Sequence, residues 1–301
     1  MFESLFVLLL AIPAHSWAHG FAGKRFFPTT FEVDDPFISD EFSVLVNRNQ
    51  GADAKTTEID IDYSKRLLPR FGFEFQAPYL HERSVEGDLS TGWNNLGIGA
   101  KWQFFTDDRH EMILSIGTDL DIGGTGNQRN AESSSTISPG FFFGKGFGDL
   151  SESIKFLKPI AVTGTFGLNF PTQRTNVDVN PESGETESEQ NPTTLSWGFT
   201  LQYSLMYLQS FVKDIGLKNP FKRMIIAAEF PMQTCVSVEC SGMTTGTVNP
   251  GVIWAGKKIE LGVAAQVPLN SGSGNGIGVF GLIHFFVDDL LPRSLGKPII
   301  H

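Results

Sequence analysis

Residues 194–208, TLSWGFTLQYSLMYL, place Leu195, Trp197, Phe199, Leu201, Tyr203, Leu205 and Tyr207 on every second position, with Ser196, Gly198, Thr200, Gln202 and Ser204 between them. A two-residue period belongs to a β-strand, whose side chains point alternately to opposite faces. A helix would spread both sets around its circumference. The row is also longer than a strand in a soluble sandwich needs. It suits the roughly nine to eleven residues of a tilted strand that crosses a bilayer, apolar toward lipid and polar toward an interior.

The same unit recurs from Glu41 onward, over residues 41–47, 56–64, 71–79, 95–105, 111–121, 136–144, 160–170, 194–208, 224–232, 251–256, 258–267 and 276–287. Phe71, Phe73 and Phe75 alternate with Glu74 and Gln76, and Leu96, Ile98, Trp102 and Phe104 with Lys101 and Gln103. The pattern predicts an all-β fold: an antiparallel transmembrane β-barrel of about twelve strands, roughly ten to fourteen being admitted by the short runs at 41–47 and 251–256. The connections alternate as well. Long polar stretches at 48–55, 80–92, 122–135, 171–193, 233–249 and 268–275 are expected on the outer side, and turns at 65–70, 106–110, 145–159, 209–223 and 257–258 on the periplasmic side. Apolar residues at three- and four-residue spacing in 149–158 and 210–218 predict single helical turns on the periplasmic rim. Residues 171–193, acidic and without an aromatic side chain, read as a mobile surface loop.

Before the barrel, Leu5 to Ile12 form a short apolar core and Ser16-Trp17-Ala18 a cleavage site, so residues 1–18 read as a signal peptide, although Glu3 stands where a basic residue is usual. Residues 19–40 follow as an N-terminal segment, 41–287 as the barrel and 288–301 as a periplasmic tail. The N-terminal segment is aromatic, irregular and charged, with Lys24, Arg25, Phe26 and Phe27 at its start. Left free in the periplasm it would expose much apolar surface, so it is expected to plug the lumen or to pack along the rim.

Composition supports this picture because alternation hides a barrel from hydropathy. The chain of 301 residues is 41% hydrophobic, 19% charged and slightly hydrophilic on average, yet carries 27 Phe and 32 Gly. Phe suits an outer aromatic band, and Gly suits close strand packing. A formal net charge of -10 argues against nucleic acid and against an anionic membrane surface as partners. Outer-membrane lipid and a small-molecule solute are the expected partners, and the barrel is expected to be a monomer in a bacterial outer membrane.

On the polar parity lie Glu58, Asp60, Asp62, Glu74, Gln76, Lys101, Asp119, Asp121, Gln202, Glu229 and Glu260, opposed in sign by Lys101 alone. Three readings stay open: a solvated interior, a ring of acids that favours cations, or acids partly neutralised by Lys24 and Arg25, with Asp60, Asp62 and Glu74 as counter-charges. Cys235 and Cys240, in an outer loop of an exported chain, are expected to form a disulfide; with only two thiols and no nearby His, no metal site and no cofactor are expected. The H-x-S pair of outer-membrane lipases, H-E-x-x-H and the G-x-S-x-G elbow are absent from the sequence, and His284 reads as a lumen or rim residue, so the chain is not expected to be an enzyme.

The stretch HGFAGKRFFPTTFEVDDPF, residues 19–37, followed by an alternating Phe-rich barrel to Phe286, resembles the MetA-pathway of phenol degradation family of transporter-like outer-membrane β-barrels. The resemblance implies passive passage of small, aromatic or hydrophobic molecules and carries over no binding residue. A closed barrel with a structural or surface-interaction role is the alternative. One departure is the end, where Phe286 is followed by VDDLLPRSLGKPIIH rather than by the C-terminus.

Overall fold

The computed structural model describes residues 20–51, 54–85, 87–127, 129–179, 186–237, 240 and 242–300; the expected signal peptide lies outside them. Two short strands, β1 (Phe21–Ala22) and β2 (Arg25–Phe26), make a small hairpin. The wall then runs through β3 (Glu41–Gln50), β4 (Ala54–Leu68), β5 (Phe71–Ser84), β6 (Leu89–Trp93), β7 (Leu96–Asp107), β8 (Met112–Ile122), β9 (Thr136–Gly146) and β10 (Ile160–Pro171). After a ribbon of β11 (Thr175–Val179) and β12 (Thr186–Gln190) it continues through β13 (Thr194–Ser204), β14 (Met224–Cys235), β15 (Thr244–Ala255), β16 (Ile259–Pro268) and β17 (Gly278–Phe286). β6 and β7 both pair with β5 and occupy one position in the wall. β17 returns to β3, with Phe286 opposite Glu41 and Gly278 opposite Asn49, so the sheet is a closed twelve-stranded antiparallel barrel.

Parity decides which face is which. On β13, Phe199 and Leu201 are 39% and 48% exposed while Thr200 and Gln202 are 0% and 2%. Outward positions of other strands repeat this with Phe75, Ile98, Trp102, Phe104, Ile116, Phe141, Phe166, Ile226, Val263, Val279 and Ile283, all exposed. So continuous an apolar belt is satisfied by hydrocarbon rather than by water. Neighbouring strands add to it by stacking, as Phe199 does on Phe230 with ring centroids 4.7 Å apart.

Several boundaries differ from the alternation. The row at 194–208 ends as a strand at Ser204, whose hydroxyl accepts from the backbone N–H of Tyr207 and caps a helical turn, α1 (Leu205–Tyr207). Leu205 and Tyr207 keep the period by coincidence, and Tyr207 turns inward. β15 begins at Thr244, well before the short run at 251–256, because its outer end stands above the hydrocarbon and needs no apolar face. Within the stretch at 171–193, expected as a loop, Thr175–Val179 pairs with Thr186–Gln190 as the ribbon β11–β12. On the periplasmic side the expected helical turns are a 3-10 turn over Glu152–Leu157 and a π turn over Leu208–Val212.

Cys235 and Cys240 are joined by a disulfide, with Cα atoms 5.8 Å apart. The C-terminal tail, after a turn α2 (Val287–Leu290), folds back on the end of β4. Ile299 and Ile300 donate to the carbonyls of Arg66 and Leu67, and Lys65 Nζ donates to those of Leu295 and Lys297.

Candidate functional site: the lumen and its N-terminal insert

Residues 20–40 enter the barrel from the end where β3 begins and β17 ends, the periplasmic end of such a barrel. Their first part spans the mouth. Phe26 packs on Ile225, Ala255 and Phe286, and Phe27 packs across the lumen on Ile113 and Ala161. Gly23 at φ +59° turns the β1–β2 hairpin and donates to Asp108 Oδ1 at 3.0 Å, with the Asp108 backbone too near for a side chain to be added.

Arg25 fixes this base. Its Nε lies 3.2 Å from Glu111 Oε2, its Nη1 donates to the Pro159 carbonyl at 3.0 Å, and its guanidinium sits 3.9 Å over the Tyr207 ring. Tyr207 Oη donates to Glu111 Oε1 at 2.7 Å and the Gly148 N–H to Oε2 at 3.0 Å, so one carboxylate gathers the insert and three wall connections. Burial pulls the Arg25 guanidinium below its ordinary value, and Glu111 beside it opposes that shift. Glu111 itself adopts φ +50°, a backbone region that L side chains seldom occupy. Its importance was not legible in the sequence, where it only opens a strand.

The next part climbs one wall. Phe31 packs with Leu45, Ala227, Ile253, Ala264, Phe280 and Leu282, inward residues of β3 and β14–β17. Glu229 takes the backbone N–H groups of Phe31 and Glu32 at 2.7 and 2.9 Å, and Glu260 takes that of Thr29 at 3.1 Å. These buried strand carboxylates are therefore acceptors for an irregular backbone that has no sheet partner. Glu32 marks the tip, accepting from Asn249 and from Gln266 Nε2 at 3.1 Å; burial raises its carboxyl, against the pull of these donors.

The chain then returns past Lys101, which donates to the Asp35 carbonyl at 3.2 Å and lies 4.0 Å from its carboxylate. It leaves through Asp40, which is paired with Lys65 at 2.9 Å and Arg66 at 2.8 Å. Burial pushes the Asp35 carboxyl up to about 7, against the pull of Lys101 and with the help of Glu74 and Asp34.

The opposite wall is acidic. Glu58, Asp60 and Asp62 on β4, Glu74 and Gln76 on β5, and Asp119 and Asp121 on β8 share the inward parity with Lys101. The acids find room because β7 places Gly97 and Gly99 between them: a Cβ at Gly99 would stand 2.3 Å from Asp119 Oδ1. Between this wall and the insert is a cavity of about 110 Å³, lined by Asp34, Asp35, Asp62, Glu74, Gln76 and Lys101 among others. Gln202 lies apart on β13, beside Thr163. Asp121 is exposed toward the outer end.

One expected contact is corrected. Lys24 and Arg25 do not reach Asp60, Asp62 or Glu74; Arg25 is held at the mouth by Glu111, and Lys24 is exposed with Nζ 5.4 Å from the centre of the Phe211 ring. Two residues at the entry of a hairpin remain at the mouth, and the side chains carried inward are Glu32, Asp34 and Asp35. Glu32 and Asp35 were not singled out by the sequence because the segment has no alternation to mark them. Among the described residues no group of three or more His, Cys, Asp or Glu side chains is arranged to hold a metal ion.

No family model matches the sequence, and no curated protein matches it. An outer membrane channel from Pseudomonas putida F1 has a similar structure, with a TM-score of 0.55 and 12% identity over 87% of this chain and 99% of that one. The beta domain of the Bordetella autotransporter Brka is similar with a TM-score of 0.50 and 12% identity, covering 82% of this chain and 98% of that one. These likenesses show the fold, an outer-membrane β-barrel.

Proposed function

We propose that the protein is a passive outer-membrane channel for small molecules, throttled by its N-terminal insert. The observation that carries this reading is the unequal filling of the lumen: the insert is bonded along the β14–β17 and β3 side, while an acid-lined cavity is left along β4 and β5. With the insert in place the cavity, about 110 Å³, suits water molecules or a small cation. Larger solutes require the insert to move. The likeness to a bacterial outer membrane channel supports the reading. The MetA-pathway family resemblance adds aromatic or hydrophobic compounds as solutes, and the acidic lining favours neutral or cationic ones among them.

A closed barrel is the second reading, favoured by the burial of Phe26, Phe27, Phe31 and Arg25. Planar-bilayer recording separates the two. A steady conductance that rises when the insert is removed supports the channel; no conductance with or without the insert leaves the closed barrel.

A further inference from the structure

The net charge of -10 conceals a division along the barrel axis. Of the 23 Lys and Arg residues, only Arg48, Lys55, Arg83, Lys101, Arg129 and Arg174 lie away from the periplasmic end. The rest belong to the periplasmic turns, the strand ends next to them and the two terminal segments. The densest group is on two connections, residues 147–159 and 205–223. These are neighbours because β10 pairs with β13, Ile160 opposite Tyr203, and the Ser204 N–H bonds the Pro159 carbonyl at 3.1 Å.

The two connections mix apolar and basic side chains. Ile154, Phe156, Leu157, Phe211, Ile215 and Phe221 are all exposed, between 44% and 57%. Tyr203, on the lipid-facing parity of β13, donates its hydroxyl to the Phe156 carbonyl at 3.2 Å. The first turn is thereby laid over the outer wall at the rim, where the bilayer interface begins. The second is prebuilt, since the Gln209 side chain grips both the N–H and the carbonyl of Leu217 at 2.8 and 2.9 Å.

The charges on this patch are largely uncompensated. Lys158 is paired with Glu152, and Arg223 is held by the carbonyls of Ala255 and Gly256. Lys213, Lys218 and Lys222 are exposed and, among the described residues, have no ion pair. The one acid in the second connection, Asp214, caps the N–H of Gly216 at 2.9 Å.

We infer that this patch is a binding site for anionic phospholipid headgroups of the inner leaflet. Lys213, Lys218 and Lys222 would meet the phosphates, while Ile154, Phe156 and Leu157 enter the boundary of the acyl chains. Apolar groups that dip into an interface beside cations that meet lipid phosphate are the chemistry of a monotopic anchor. The sign of the charge selects lipid phosphate, and the placement of Phe156 on the outer wall selects a membrane over a soluble acidic protein. The inference rests on the barrel lying in an outer membrane and is independent of whether it conducts.

The test uses the full mature chain, purified in neutral detergent and mixed with equal amounts of phosphatidylglycerol and phosphatidylcholine, with retained lipid counted by native mass spectrometry. A preference of at least five-fold for phosphatidylglycerol is expected. In the triple variant Lys213→Gln, Lys218→Gln, Lys222→Gln it should vanish, and in the corresponding triple Lys→Arg variant it should persist. Lys55→Gln, at the outer end, should leave it unchanged. The heat-dependent gel shift of a folded barrel verifies that each variant is intact. Equal retention of the two lipids by the unaltered protein, or an undiminished preference in the triple Gln variant, overturns the site. Loss of preference in Lys55→Gln also overturns it, because total charge rather than the patch would then be responsible.

Discussion

The two sides of the lumen solve the same problem in opposite ways. On the β14–β17 and β3 side, small and apolar residues such as Ala227, Ala264, Leu282 and Phe280 leave a surface that water serves poorly, and Phe31 covers it. On the β4, β5 and β8 side, Asp60, Asp62, Glu74 and Asp119 crowd like charges together, and no base of the insert is sent among them. The insert thus docks where burial is favourable and where Glu229 and Glu260 await its backbone, and meets the wall whose charges repel one another mainly through Lys101, leaving a cavity beside Asp62 and Glu74. The contrast explains a partly filled lumen without requiring any strong attraction between insert and acids.

Removing the insert should therefore have the largest effect. Deleting residues 21–38 while keeping residues 1–20 removes every Phe from the lumen side of the insert but no strand of the wall, so the barrel should still show its heat-dependent gel shift. Single-channel conductance should rise several-fold, and cation preference should be kept, because the wall acids remain and the deleted stretch contributes none of them. A deletion variant that inserts normally with unchanged conductance would place the docked insert outside the conducting path.

Phe31→Ala attacks the apolar wall alone. Truncating a buried Phe costs about 3–5 kcal/mol, and here the cost falls on docking rather than on the barrel. Openings to the high-conductance level should become frequent. Glu229→Ala is expected to be next, at roughly 2–3 kcal/mol, since two backbone donors lose a charged acceptor together. If conductance traces of both variants match those of the unaltered protein, the apolar wall is not what holds the insert.

Much of the barrel was legible in the sequence because lipid demands alternation, and Phe199, Leu201, Phe75 and Trp102 supply it where the chain meets hydrocarbon. Legibility stopped where lipid stops. The outer ends of β14 and β15, with Thr234 bonded to Thr244, are paired strands in water and show no apolar row. The inward acids were readable by parity alone, since a strand that shows Ile59 and Ile61 to one side must show Asp60 and Asp62 to the other. The roles of Glu229 and Glu260 were not, because both serve a segment whose path has no period. Arg25 could be picked out as unusual, yet its partner Glu111 is 86 positions away and is selected by the closed mouth rather than by any local pattern.

Acidity offers a graded handle on the side where the insert meets the polar wall. The Asp35 carboxyl, held up to about 7 chiefly by burial, faces Lys101, Glu74, Asp34 and Glu41, and Glu32 at the tip is shifted the same way. A docked group with a raised value binds its proton more tightly than the free segment does, whose Asp ordinarily titrates near 3.8. Docking is then strongest at the acid end, weakens as pH rises from about 4 to about 7, and levels off above that. Conductance should accordingly be higher at pH 8 than at pH 5, and Asp35→Asn should flatten the change. A pH response that survives intact in the insert-deleted protein would assign it to the wall instead.

The smallest expected effect belongs to Asp62, and it sharpens the contrast most. Asp62 lines the cavity, accepts from Ser43 Oγ at 3.3 Å and makes no hydrogen bond to the insert among those described. Asp62→Asn keeps the shape of the side chain and its ability to accept from Ser43, and removes one negative charge from a wall that holds several. Docking should be unaffected, so the frequency of high-conductance openings should match the unaltered protein. Only the reversal potential in a salt gradient should move, by a modest step toward lower cation preference, since charged side chains that line a pore set its ion selectivity. Because Phe31→Ala should change opening frequency at fixed reversal potential, the two variants form a crossed pair. Should Asp62→Asn instead change opening frequency and leave the reversal potential in place, the acidic wall would be part of the dock, and the division of the lumen into a binding side and a conducting side would fail.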